Sequence, residues 1–194
     1  MKSIINVLII SSIISTSSFA EQKQLVEFPS NSEVANVSLV PSKSFNSYEV
    51  AGSLVGKTGT SAEATLKEYG FVYNDDPGTQ EVNGLTIKYF AQEESFEFCI
   101  IATKGGSVVL VAFNVVAGED DYYGGIFEEA MEKFENSVIA AGFKLKQPAT
   151  EENDEEKDFH NSAKKQKIYI GYDGSSEAWI YIYNEAIDIS EFKQ

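Results

Sequence analysis

Three apolar runs crowd one stretch of the chain: Leu85–Ala91, Phe96–Ala102 and Ser107–Val115. They are separated only by Gln92-Glu93-Glu94-Ser95 and by Lys104-Gly105-Gly106. Parallel neighbours need a crossover of about a dozen residues or more, so runs this close can pair only as antiparallel strands. The segment therefore commits the chain to an antiparallel meander. Symmetric closure of the first loop sets Tyr89 opposite Phe98 and Ile87 opposite Ile100. A two-residue Gly-Gly turn then sets Ile100 opposite Val111 and Phe98 opposite Phe113. Because side chains alternate along a strand, one face carries Ile87, Tyr89, Phe98, Ile100, Val109, Val111 and Phe113 and is expected to be core. The other face carries Lys88, Glu97, Cys99 and Asn114, with Phe90 and Leu110 among them.

A second hairpin is expected near the C-terminus. Lys167–Tyr172 and Ala178–Tyr183 flank Asp173-Gly174-Ser175-Ser176, whose Asp-Gly start marks a turn. An even-length loop puts Ile168, Ile170, Trp179, Tyr181 and Tyr183 on one face, and Tyr169, Ala178, Ile180 and Ile182 on the other. Both faces are apolar, so either both are buried or one is an exposed recognition patch. Tyr48–Val55 reads as a further strand ended by Gly56, and Pro148–Lys167, acidic and then Lys-rich, as a mobile loop.

Two helices are predicted. Thr60-Ser61-Ala62-Glu63 fits a capping box that opens a short helix, with Ala62, Leu66 and Tyr69 on one side and Gly70 just past its end. A longer helix follows Gly118–Gly125. Phe127, Ala130, Met131, Phe134, Val138 and Ala141 recur at three- and four-residue steps, and Glu128, Glu129, Glu132, Lys133 and Glu135 take the opposite side. Asp120 or Asp121 caps it and Gly142 ends it. The predicted fold is α+β: an antiparallel sheet made of the meander and the C-terminal hairpin, with one long and one short helix packed on it. Both helix ends read Gly-Phe, at Gly70-Phe71 and Gly142-Phe143, each followed by a loop and an apolar hairpin. That recurrence points to two α-then-β pseudo-repeats, 57–117 and 118–194, inside one domain spanning 48–194.

Met1–Ala20 has the form of a secretory signal peptide: Lys2, an apolar stretch from Ile4 to Ile14, and Ser18-Phe19-Ala20 at the cleavage site. The stretch is shorter and more serine-broken than the roughly 20 apolar residues a bilayer span needs. The mature chain is expected to begin at Glu21, to be periplasmic or extracellular, and to carry a loosely ordered arm over 21–47. Cys99 is the single cysteine, which excludes an internal disulfide and leaves a small apolar filler as its role.

Fifteen basic and thirty acidic residues give a net charge of −15, which removal of Lys2 makes more negative. Such a field repels nucleic acid and anionic lipid and favours a basic partner. Every basic side chain is lysine, so the bidentate guanidinium that clamps phosphate and carboxylate is missing. Gly52-Ser53-Leu54-Val55-Gly56-Lys57-Thr58 has one residue too few between its glycines for a phosphate loop. The single histidine, His160, rules out multi-histidine metal sites and is expected on a surface loop. No acidic cluster has the spacing of a calcium loop. No catalytic residue, metal or cofactor is assigned.

The remaining candidates are interaction residues. Trp179, Tyr181 and Tyr183 combine apolar area with a polar handle, as interface anchors do. Tyr122 and Tyr123, with Asp120 and Asp121 beside them, form a second aromatic-acidic group in a glycine-flanked loop. The expected function is an exported, non-catalytic binding protein, an inhibitor or immunity-type protein that masks a basic partner. The alternatives are a module for a small molecule or glycan, and a small hydrolase with a carboxylate pair.

Overall fold

The computed structural model describes residues 45–92, 97–117, 125–146, 156–173, 176–190 and 192. All belong to the compact unit Leu39–Gln194. The expected signal peptide, most of the expected arm and residues 118–124 lie outside the described residues.

The architecture is mixed α+β. Among the described residues three helices, α1 (Tyr48–Ala51), α2 (Gly59–Glu68) and α3 (Gly125–Ala140), accompany nine strands. In chain order these are β1 (Phe71–Tyr73), β2 (Gln80–Val82), β3 (Leu85–Gln92), β4 (Phe98–Lys104), β5 (Ser107–Val116), β6 (Lys144–Leu145), β7 (Glu156–Asn161), β8 (Gln166–Asp173) and β9 (Glu177–Asn184). They form one antiparallel sheet in the order β1-β3-β4-β5-β9-β8-β7-β6, with β2 also paired to β3. The two strands that end the meander and the hairpin, β5 and β9, meet at its centre.

All three helices lie on one face. Ala51, Leu66, Met131, Phe134 and Val138 join Phe90, Cys99, Ile101, Val111, Phe113, Ile168 and Ile180 in a single buried cluster. Phe45, at the end of the expected arm, is buried there against Phe71, with ring centroids 5.0 Å apart, and against Phe113 at 5.3 Å. The stripe predicted for α3 faces this core. Polar ties reinforce it: Glu135 accepts hydrogen bonds from Lys157 Nζ and from the Tyr172 hydroxyl, both at 2.6 Å.

Several local expectations are corrected. Tyr48–Val55 is not a strand but α1 followed by a 3-10 turn at Gly52–Leu54. The Ser47 hydroxyl caps it by accepting from Val50 N–H, while Tyr48 and Ala51 turn inward. The cap of α2 is Thr58, not Thr60, and Glu63 is free to accept from Lys88 on β3 at 2.8 Å. Part of the supposed mobile loop is strand: β7 pairs with β8 from Glu156 to Asn161. Its alternation escapes notice because only Phe159 is a large apolar residue.

The most consequential correction concerns which face is core. Tyr89 stands opposite Ile100 and Ile87 opposite Ala102, two residues from the expected register, because the intervening loop is 93–96. That slip preserves the faces. The Gly105-Gly106 turn is the expected two-residue one, with both glycines at positive φ. Beyond it the pairing jumps from Thr103↔Val108 to Ala102↔Leu110, so Val109 is an extra residue on β5. This β-bulge inverts the facing of the rest of β5. Val111 and Phe113 therefore share the helix-covered core with Cys99 and Ile101, while Leu110 and Ala112 join Ile87 and Ile100 on the other face. The C-terminal hairpin is corrected the same way. Asp173 pairs with Glu177, an odd three-residue connection, so Ile168 and Ile170 face the helices with Ile180 and Ile182. Tyr169 joins Trp179, Tyr181 and Tyr183 on the open side.

Candidate functional site

Among the described residues no helix covers the second face of the sheet, and all three candidates on β9 point to it. Cross-strand rows define its geometry. One row runs Ile87, Ala102, Leu110, Tyr183, Lys167, His160. The next runs Tyr89, Ile100, Ala112, Tyr181, Tyr169, Asp158. A third runs through Asn114, Trp179 and Gly171, and Phe98 is tied to it by its N–H donating to Asn114 Oδ1 at 2.6 Å.

Exposure divides this face. Phe98 is 42% exposed, and Tyr89, Ile100 and Trp179 are half-buried. The Trp179 indole N–H has no hydrogen-bond partner among the described residues. Tyr169, Tyr181 and Tyr183 are buried instead, because residues 185–192 fold back and contribute Ile187, Ile189 and Phe192 to the same apolar cluster. The Tyr181 hydroxyl donates to Phe192 O at 2.8 Å. Burial pushes the Tyr181 phenol up to about 12. Burial, and then Asp158 and Asp188, push that of Tyr183 up to about 12. Of the three β9 candidates, Trp179 alone combines apolar area with accessibility.

Charge is distributed unevenly along the strands. Gln92, Phe98, Val116, Glu177, Asp173 and Glu156 lie at one end of the sheet. Glu97, Glu156, Asp173 and Glu177 stand at that end. The opposite end holds the tight turns and carries Lys57, Lys104, Lys164, Lys165 and Lys167. Phe98 and Trp179 belong to the acidic end. Tyr122, Tyr123, Asp120 and Asp121 lie outside the described residues. The segment bearing them leaves β5 beside the start of β9, where Ala117 N–H donates to Ser176 O at 2.7 Å.

His160 is not on a loop: it sits in β7, with Nε2 3.6 Å from Glu185 Oε2 and 3.4 Å from Ser162 Oγ. Cys99 is fully buried, and burial pushes its thiol above the ordinary range, consistent with a packing role. Among the described residues no group of three or more His, Cys, Asp or Glu is placed to hold a metal. Nor is any helix among them long and apolar enough to cross a membrane. Sequence patterning missed Phe98, Tyr89 and Ile100 as surface groups, since apolar alternation identifies a face but not what covers it. It also missed β2. Asn83-Gly84, both at positive φ, form the tight turn into β3, and that Asn-Gly pair was a legible hairpin mark. No family model, curated protein or solved structure matches this chain.

Proposed function

We propose that this is an exported, non-catalytic binding protein that docks a basic protein partner at the acidic end of its open sheet face. The observation that carries this reading is the half-exposed apolar patch of Phe98, Trp179, Tyr89 and Ile100 beside the acidic strand ends. Apolar anchors rimmed by charge are how protein interfaces divide their labour: the anchors limit dissociation and the charge steers encounter. Trp179 and Phe98 are the anchors. Glu97 and Glu177 form the rim, extended by Asp120 and Asp121, with Tyr122 and Tyr123 as further contacts. Export to the periplasm or beyond rests on the signal-peptide pattern of Met1–Ala20.

The same reading includes two α-then-β halves. Gly70 after α2 and Gly142 after α3 both sit at φ +85°, and the phenylalanine following each is buried. After its helix the first half supplies two short strands and three longer ones, the second one short strand and three longer ones, and the halves join through β5 and β9. On this view the docking patch straddles the seam.

The test is capture from the native host's envelope fraction with immobilised Glu21–Gln194, followed by association kinetics with the retained protein. The expected result is one basic protein held stoichiometrically. Its association rate should fall roughly tenfold or more as salt shortens the screening length from about 30 Å to about 8 Å. Trp179→Ala and Phe98→Ala should each accelerate dissociation without changing the melting temperature. An empty bait at low salt, or a partner held equally by the double variant, overturns the proposal.

A further inference from the structure

We infer that a cleft at the lysine-bearing end of the same sheet face binds a small zwitterion, such as a free amino acid or a short peptide with both termini open. The cleft has a volume of about 640 Å³ and lies between β7–β9 and the returning segment Glu185–Ser190. It is at the far end of β9 from Trp179 and does not depend on the docking proposed above.

Three features make it a site and not a surface dent. First, Tyr183 lines it while only 6% exposed, and its hydroxyl makes no hydrogen bond within the described residues. That hydroxyl is not sealed from solvent, since no buried side-chain oxygen or nitrogen among the described residues lacks a partner, and it is therefore accessible to bond a ligand group in the cleft. Second, Lys146 and Lys167 line the cleft, and no carboxylate is paired to either among the described residues. Third, Asp158 lines the same space with no side-chain partner among the described residues, and Asp188, held by Ser190 N–H at 2.9 Å, lines it too. Both carboxylates act electrostatically on the Tyr183 phenol, which places the three groups in one neighbourhood. Cations and anions that line one cavity, with no ion pair between them among the described residues, match a ligand carrying both charges. The lysines meet its carboxylate, Asp158 and Asp188 meet its ammonium, and Tyr183 bridges. The His160–Glu185 contact closes one side, and Ile187 and Ile189 supply apolar wall.

The probe is trialanine, compared with its N-acetylated and its C-amidated forms, and the readout is backbone amide shifts of the intact protein. Saturable shifts are expected at Lys167, Tyr183 and Glu185–Ser190 with the free peptide. Blocking either terminus should weaken binding roughly tenfold or more, the worth of one charge-assisted hydrogen bond. Lys167→Met should erase the penalty for C-amidation, and Asp158→Asn the penalty for N-acetylation. Tyr183→Phe should weaken all three peptides alike. Absence of saturable shifts overturns the inference. So does a response in which one block, or neither, matters, since that describes a plain ion site or an apolar groove. The peptide comparison needs only the unaltered protein, so a variant that fails to fold does not blunt it.

Discussion

Tyr181 donates its phenolic hydrogen to the backbone carbonyl of Phe192 at 2.8 Å, and this bond ties the C-terminal segment across the open face of the sheet. Around it, Ile189 is buried in the same cluster as Tyr181 and Tyr183. Tyr181→Phe keeps the ring and removes only the bond. The expected cost is about 1 kcal/mol of stability. Amide exchange at Ile187 and Phe192 should accelerate while β5 and β9 stay protected. Uniform acceleration across the sheet would mean that the segment is not an independent unit.

Gly142 ends α3 at φ +85°, its N–H donating to Ile139 O and that of Phe143 to Val138 O, a Schellman closure. A Cβ there would stand 3.4 Å from Asn161 Nδ2, the group that donates to Ala141 O. Gly142→Ala should destabilise by about 1–2 kcal/mol through the left-handed backbone alone. Gly56→Ala, at φ +93° with open space around it, carries the backbone strain without the contact and should cost less. Denaturant unfolding of the two variants checks the ranking.

Phe113 is 1% exposed and packs edge-on against Phe45 and Phe134, at 5.3 and 5.7 Å between centroids. Phe113→Ala should cost about 3–5 kcal/mol, because the cavity opens where β5, α3 and the chain before α1 meet. Phe98→Ala, on the open face, should cost well under half as much. Unbroken alternation along the meander would place both residues in one core, so equal losses would refute the bulge at Val109.

Among the described residues five tyrosines have phenols raised above the ordinary value of 10.0: Tyr89, Tyr169, Tyr172, Tyr181 and Tyr183. Burial is the first cause in each, and for Tyr172 the hydrogen bond to Glu135 adds to it. The unfolded chain therefore releases these protons before the folded one does. The stability they contribute is fully present below pH 10 and is lost as the pH rises through their folded values, about 12 for Tyr181 and Tyr183. Absorbance titration at alkaline pH should show a late class of phenols. Its appearance should coincide with loss of near-ultraviolet dichroism. In Glu135→Gln, Tyr172 should ionise earlier than in the unaltered protein.

Much of the fold was legible from local pattern. The α3 stripe from Phe127 to Val138, the Gly-Phe helix ends, the Gly105-Gly106 turn and the antiparallel meander follow from periodicity and backbone sterics, which act over a few residues. The candidate site was legible only in part. Trp179, Tyr181 and Tyr183 were recognised by type, and they do share a face. That Trp179 remains accessible while the other two are buried depends on Ile187, Ile189 and Phe192, which reach that face only after the chain turns back.

By itself, then, the sequence determined the class of the fold, the elements whose periodicity is strong, and the acidic character of the chain. Tertiary structure alone decided which face of the sheet became core. A period-two pattern has no memory of parity once a residue is inserted. One extra residue at Val109 and one odd connection between Asp173 and Glu177 each exchange the two faces of everything beyond them. With Phe113, Ile168 and Ile170 as apolar as Leu110, Tyr169 and Tyr181, local preference barely separates the alternatives. Packing of α1, α2 and α3 against one side resolves them, because only one parity brings Val111, Phe113, Ile180 and Ile182 beneath the helices together.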